Sequence, residues 1–192
     1  MTGVDARTSE LDPVRLNRLY NLVHAQWPDQ TIFGVLENTT REDYDRTILD
    51  NVAKTLNIQL NRVSVTPGPD QNAIKTLIRR AFQGWEQAGI KVALVAADPL
   101  FNDFRPDVIK AEKDYGVAAM HQWHEFKDEG GYASYGTDLT EAYQTAGTIA
   151  GQVLDGADPG EMPPQPLTNI AGLSINRATA RRLGLKMPSA LT

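Results

Sequence analysis

The chain has 192 residues, a net charge of −5 and no cysteine. That length suits one domain with a sizeable core. The acidic balance (pI near 5.2) argues against nucleic acid and anionic membrane surfaces as partners, and the missing cysteine excludes disulfides, thiol catalysis and Cys-based zinc sites. No apolar run approaches membrane-spanning length, which argues against membrane insertion. The opening MTGVDARTSELDP has no basic n-region and no apolar h-region, so it does not read as a signal peptide.

The elements follow in order. Asp12 and Pro13 suit a helix start, with Asp12 as cap, and Leu16, Leu19, Tyr20 and Val23 share one apolar face. The helix should stop before Pro28. Residues 31–36 (TIFGVL) form an apolar run that fits a strand buried on both faces. Thr39 or Thr40 then caps a helix over 41–56, with Tyr44, Ile48, Val52 and Leu56 one turn apart. A strand over 58–65 leads to the turn Thr66-Pro67-Gly68-Pro69-Asp70. A helix over 71–88 carries Ile74, Leu77, Ile78, Ala81 and Trp85 on one face. Residues 91–97 (KVALVAA) are a third buried strand, ending in Asp98-Pro99-Leu100-Phe101. A helix over 105–115 ends at Gly116, and a fourth strand covers 117–120. Strand and helix thus alternate from 31 to 120. This predicts an α/β fold with a mostly parallel sheet flanked by helices.

The rest is organised around 117–143 (VAAMHQWHEFKDEGGYASYGTDLTEAY). Two short strands, 117–120 and 132–135, bracket an aromatic and ionisable cluster. Gly136 breaks the second strand and Asp138 opens a helix over 138–154. That helix is smooth and apolar on one side, through Gly147, Gly151 and several alanines. A proline-rich connector over 155–166, a strand over 167–175, an Asn176 cap and a short helix over 177–183 complete the chain.

Several constellations suggest chemistry. Glu37-Asn38-Thr39-Thr40 lies between a strand and a helix, where backbone N–H groups either receive a polar ligand or are simply capped. Glu37 would repel an anion there. Asp98 and Phe101 at a strand's carboxyl end suit a ligand with an amine and an apolar body. His121, His124 and Glu125 invite a metal, but their H-x-x-H-E order is not the H-E-x-x-H pattern of zinc proteases. No G-x-S-x-G elbow, G-x-G-x-x-G or phosphate loop is present. No catalytic residue, metal or cofactor is assigned.

Residues 122–143 (QWHEFKDEGGYASYGTDLTEAY) resemble the Q-W-R-E-F…G-G-L-x-S-Y-G-x-x-L-x-x-A-Y signature of ABC-transporter substrate-binding proteins. These are type 1 periplasmic binding proteins of the branch that includes tryptophan- and tyrosine-binding members. Residues 146–163 and 174–185 resemble that family's A-G-x-x-x-x-x-I-L-K-G-A-K-P and V-I-N-L-K-T-A-K-A-L-G-L segments. The opening TGVDARTSELDPVRLNRL resembles the stretch where such chains pass from first lobe to second. His121 stands where tyrosine is frequent, and His124 where arginine is usual. The loop after the first strand lacks the family's N-P pair.

The resemblance implies one lobe, residues 1–192, of a two-lobed fold whose first lobe this sequence does not contain. It implies capture of a small-molecule solute, such as an amino acid or aromatic compound, for an ABC permease, in the periplasm. If Met1 is the natural start, the expected location is the cytoplasm. The implied ligand-binding residues are Asn38, Thr39, Asp98, Phe101, Trp123, Tyr135 and Asp138. Asn38 and Thr39 would offer hydrogen bonds, Asp98 would pair with an ammonium group, and Phe101 and Trp123 would stack on the solute. The helix over 138–154, with its end near 156, would dock on the first lobe. It is expected to meet a separately encoded first lobe, to meet a second copy in a homodimer, or to fold back on its own sheet. Two other readings stay open: an interaction module with no high-affinity ligand, and a small hydrolase using Asp98 or His121, His124 and Glu125.

Overall fold

The computed structural model describes residues 4–5, 9–40, 46–137, 139–163, 165–166 and 170–186. In chain order these form β1 (Val4–Asp5), α1 (Asp12–Val23), β2 (Ile32–Glu37), α2 (Arg46–Leu56), β3 (Gln59–Ser64), α3 (Gln71–Gln87), β4 (Val92–Val95), α4 (Pro99–Asp103) and α5 (Arg105–Tyr115). There follow β5 (Ala118–His121), α6 (His124–Asp128), β6 (Ala133–Thr137), α7 (Leu139–Leu154), β7 (Gln165–Pro166), β8 (Ile170–Ile175) and α8 (Arg177–Arg182).

Six strands make the main sheet, in the order β3-β2-β4-β5-β6-β8. All neighbours are parallel except β6 and β8, which are antiparallel with an irregularity at Gly136/Thr137. β4 and β5 are buried along their whole length, as continuous apolar runs in a covered sheet should be. Alternation along β4 sorts its side chains between two cores. Ala93 and Val95 join Trp85, Phe82, Ile78 and Val108 on the face covered by α3 and α5. Val92 and Leu94 join Leu16, Leu19, Phe33 and Met120 on the face covered by α1. At Gly34 the indole of Trp85 lies on the strand, 2.6 Å from where a Cβ would stand.

The termini of the helices obey local chemistry. Asp70 caps α3 through the amides of Asn72 and Ala73, Gly116 ends α5 at φ 66°, and Asn176 caps α8 through Thr179 N. Asp12 does not cap α1, which has no side-chain cap, because its carboxylate is drawn to β4 instead. On α2 the buried residues are Leu49 and Ala53, while Ile48 is 48% exposed. The buried stripe is turned from the predicted row because α2 packs on both α1 and β3. Thr39 and Thr40 make no cap to the described part of α2, and residues 41–45 lie outside the described residues. On α3, Leu77 is 38% exposed and Phe82 takes its place in the core.

α7, β1 and β7 stand apart from the main sheet. β1 and β7 pair in parallel as a separate two-stranded ribbon, and α7 packs on β1. None of the described side chains of α7 is buried; Tyr143 is 76% and Leu154 88% exposed. The helix does not fold back onto its own six-stranded sheet.

Candidate functional site

The chain reverses its direction of travel across the sheet between β2 and β4. It first steps from β2 outward to β3, then returns to place β4 on the other side of β2. Ligands of open α/β sheets bind outside the carboxyl ends of strands at such a switch point. Here those ends carry Asn38 and Asp98, each 5% exposed. Asn38 Nδ2 donates to Asp98 Oδ2 at 3.2 Å, and Asn38 Oδ1 accepts from the Thr40 amide and hydroxyl at 3.1 and 2.7 Å. Asp98 Oδ1 accepts from Leu100 N at 2.8 Å, so Asp98 starts α4. The segment 98–101 thus opens a capped helix. Each oxygen of the Asp98 carboxylate already accepts one hydrogen bond, from Asn38 and from Leu100 N.

Phe101 lies beneath the site. Its ring is fully buried among the residues beneath α3 and α5, because α4 turns it down onto the sheet. It supports the floor of the site and offers no face for stacking. Thr39 is exposed, and its hydroxyl meets Ser64 Oγ at 2.8 Å, extending the polar rim to β3. Trp123 is half-buried against the same core as Phe101. Tyr135 is half-buried on β6, with the Arg18 guanidinium 5.4 Å over its ring. Asp138 lies outside the described residues.

Glu37 does not present bare negative charge. It is fully buried and ion-paired with Arg46 and with Arg62, the latter at 2.7 Å, and Arg62 also reaches Asp50 at 2.6 Å. Burial lowers the Arg62 pKa, but hydrogen bonds and charge from Asp50 and Glu37 outweigh it and raise the net value. The expected repulsion of anions by Glu37 is thus cancelled locally.

The histidines divide by environment. His121 is fully buried, its Nε2 lies 2.9 Å from Glu112 Oε2, and its ring stacks on Phe126 at 4.5 Å. Glu112 also accepts from Tyr132 N at 2.6 Å and Ala119 N at 3.3 Å. Burial, then the Glu112 charge, pushes the Tyr132 phenol up to about 12. His124 is half-exposed at the start of α6, with its Nδ1 3.7 Å from Glu125 Oε2. His24 stacks on Tyr20 elsewhere. Among the described residues, no group of three His, Asp or Glu side chains is placed to hold a metal ion.

Some site residues were not singled out in the sequence. Gln122, 2% exposed, donates from Nε2 to Asp98 O at 3.2 Å and so ties β5 to β4 beneath the site. Among the described residues, Gln122 Oε1 and Trp123 Nε1 are buried without a hydrogen-bond partner. Asp12 and Arg15, on α1, reach the ends of β4 and β6. A polar residue next to an aromatic at a strand end was the available signal for Gln122. Asp12 carried only the signal of a helix cap, and Arg15 none beyond helix spacing.

The arrangement is a shallow polar shelf with aromatic edges. Glu37 is ion-paired with Arg46 and Arg62, and Asp98 accepts from Asn38 and Leu100 N. Residues 2–192 match the family model described as ABC transporter substrate binding protein. Comparison with curated proteins gave no match. Among solved structures, the chain is similar to an ABC domain in complex with L-Trp from Streptococcus pneumonia: 18% identity, TM-score 0.73, covering 99% of this chain and 62% of that one. It is similar to a conserved domain protein from Vibrio cholerae at 18% identity and TM-score 0.75, covering 94% and 57%. It also resembles the periplasmic binding protein of the arabinose ABC transporter from Shewanella sp. ANA-3, bound to arabinofuranose, at 11% identity and TM-score 0.54, covering 95% and 62%. The chain therefore spans 57–62% of the length of these structures. The family match, together with a sheet whose switch point carries the polar shelf, places this chain in the ABC-transporter substrate-binding protein family.

Proposed function

We propose that this lobe forms one wall of a solute-binding cleft and serves capture rather than catalysis. The observation that carries the reading is the polar set at the switch point: Asn38 and Asp98 joined side chain to side chain, Gln122 bracing them from β5, and the Thr39–Ser64 rim. Thr39, Trp123 and Tyr135 contact the solute in this reading, and Asp138 follows at the exit of β6. Asn38 and Asp98 shape the floor.

The solute is a small molecule with an apolar or aromatic body, such as an amino acid or aromatic compound. The similar protein from Streptococcus pneumonia holds L-Trp, and the half-buried Trp123 suits the same kind of body. The captured solute passes to an ABC permease, and the protein works in the periplasm. A first lobe covers the solute and docks on α7, β1 and β7. Thermal-shift screening against amino acids, aromatic acids and sugars tests this. A ligand at a hundred times its dissociation constant stabilises by roughly 2.7 kcal/mol. Aromatic amino acids are expected to shift the midpoint. No shift from any panel member, with the first lobe present, would overturn the reading.

The exposed face of α7 favours a second reading. Tyr143 and Leu154 are large apolar residues left in water. Here the lobe is an interaction module that pairs with another copy through α7. Sedimentation across a concentration series distinguishes the two, since a homodimer dissociates on dilution and a monomer does not respond.

A further inference from the structure

The connections between the six-stranded sheet and the α7–β1–β7 unit pass close to one buried ion pair. Asp12 is 2% exposed and Arg15 is fully buried. Arg15 Nη1 donates to Asp12 Oδ1 at 2.6 Å. Both oxygens of Asp12 face the amide of Ala97, at 3.2 and 3.0 Å, just past the end of β4. Arg15 Nε donates to Tyr135 O at 2.6 Å. The next residue, Gly136, has Gln122 O 1.9 Å and Arg15 Nη2 3.1 Å from where a Cβ would stand. Arg18, on the same helix, covers the Tyr135 ring.

β6 is thus gripped by its carbonyl, its ring and its bare Cα immediately before it leaves the sheet for α7. The grip comes from the first two turns of α1, the end at which the chain arrives from β1. We propose that Asp12 and Arg15 are positioning residues that staple the incoming and outgoing connections together and fix the angle between the α7–β1–β7 unit and the main sheet. A guanidinium suits this task, because its rigid fork serves two acceptors in different directions and a lysine ammonium does not do so from one point. In the solute-capture reading the same staple sets how a first lobe meets this one; that consequence rests on the reading above, whereas the restraint itself does not.

The 192 residues include no cysteine, so two introduced cysteines label cleanly. Spin labels at Arg80→Cys on α3 and Gln144→Cys on α7, both exposed sites, report the angle as a distance distribution by double electron–electron resonance, with no solute added. The parent is expected to give one narrow peak. In Asp12→Asn/Arg15→Met the Asn oxygen still accepts from Ala97 N, but the bridge to Tyr135 is gone. Its distribution should widen roughly twofold while tryptophan fluorescence and far-ultraviolet dichroism stay as in the parent. Should that variant fail to fold, Arg15→Lys carries the same test, keeping the charge while losing the fork. An unchanged width in either folded variant, or a parent as wide as the variant, overturns the staple. A failed solute screen leaves this result untouched.

Discussion

Asn38 and Asp98 meet side chain to side chain at 3.2 Å, sixty residues apart in sequence, across the point where β2 and β4 run side by side. The amide supplies a donor to one carboxylate oxygen while the other starts α4. A neutral donor facing a buried acid lets both be buried without a second charge.

Asn38→Asp sets two carboxylates at that distance. Like charges raise the pKa of one member in the folded state. Stability from holding that proton is fully present below the unfolded carboxylate value near ~3.9 and is lost as pH rises through the raised folded value. The variant should therefore approach the parent at low pH and fall behind it at neutral pH. Urea midpoints at both ends of the range check this; an equal deficit at every pH counts against it.

Glu112 gathers the Nε2 of His121 and two backbone amides in a fully buried place. Glu112→Leu removes the partner of all three buried groups at once. The loss should reach about 3–5 kcal/mol, the range for breaking a buried charged network. Glu112→Gln keeps one oxygen and should cost less. Chemical denaturation of the pair measures the order.

Burial, then the Glu112 charge, raises the folded-state pKa of the Tyr132 phenol to about 12, above the ordinary phenol value of about 10. Its contribution is complete below the unfolded value and is lost as pH rises through the folded value. Roughly 2–3 kcal/mol of alkaline destabilisation follows from a shift of that size. Tyr132→Phe should flatten the decline in stability between the two values. A slope identical to the parent's would show that the phenol is not responsible.

Gly34 is the strand position against which the Trp85 indole is laid. A methyl there meets aromatic carbons at 2.6 Å, and the Trp85 Nε1–H bond to Asn61 Oδ1 at 3.1 Å resists the ring's retreat. Gly34→Ala should cost roughly 1–3 kcal/mol, typical of overpacking. Tryptophan emission should move to longer wavelength as the ring is displaced. No spectral change and no loss of stability would mean the strand yields instead.

The alternation of strands and helices was legible because apolar runs such as VALV and periodic faces such as that of α3 are local signals. The cap at Asn176 and the stop at Gly116 were equally local. Direction of burial was harder. Phe101 and Leu77 look alike in a sequence, yet one is on the buried side of α4 and the other, on α3, is partly exposed, because tertiary neighbours decide. Commitment of a polar group is just as invisible. Asp98 and Glu37 read as available carboxylates until Asn38, Arg46 and Arg62 arrive from distant positions. Asp12 sits in a favourable capping context and is diverted by Ala97 N, eighty-five residues away.

The last strand of the sheet is antiparallel, and it joins β6 only after the whole α7 excursion. Ala180 and Leu185 then complete the core containing Leu16 and Leu19, and Gln26 Nε2 bonds Lys186 O at 2.9 Å. A ribosome adding about 5–20 residues per second needs roughly 2–7 seconds to travel from Gly136 to Ile170. Through that interval the nascent sheet has an open β6 edge and an unfinished core. The lobe therefore folds late and all at once on the scale of its own synthesis, and the interval before β8 emerges is when a chaperone has most to protect.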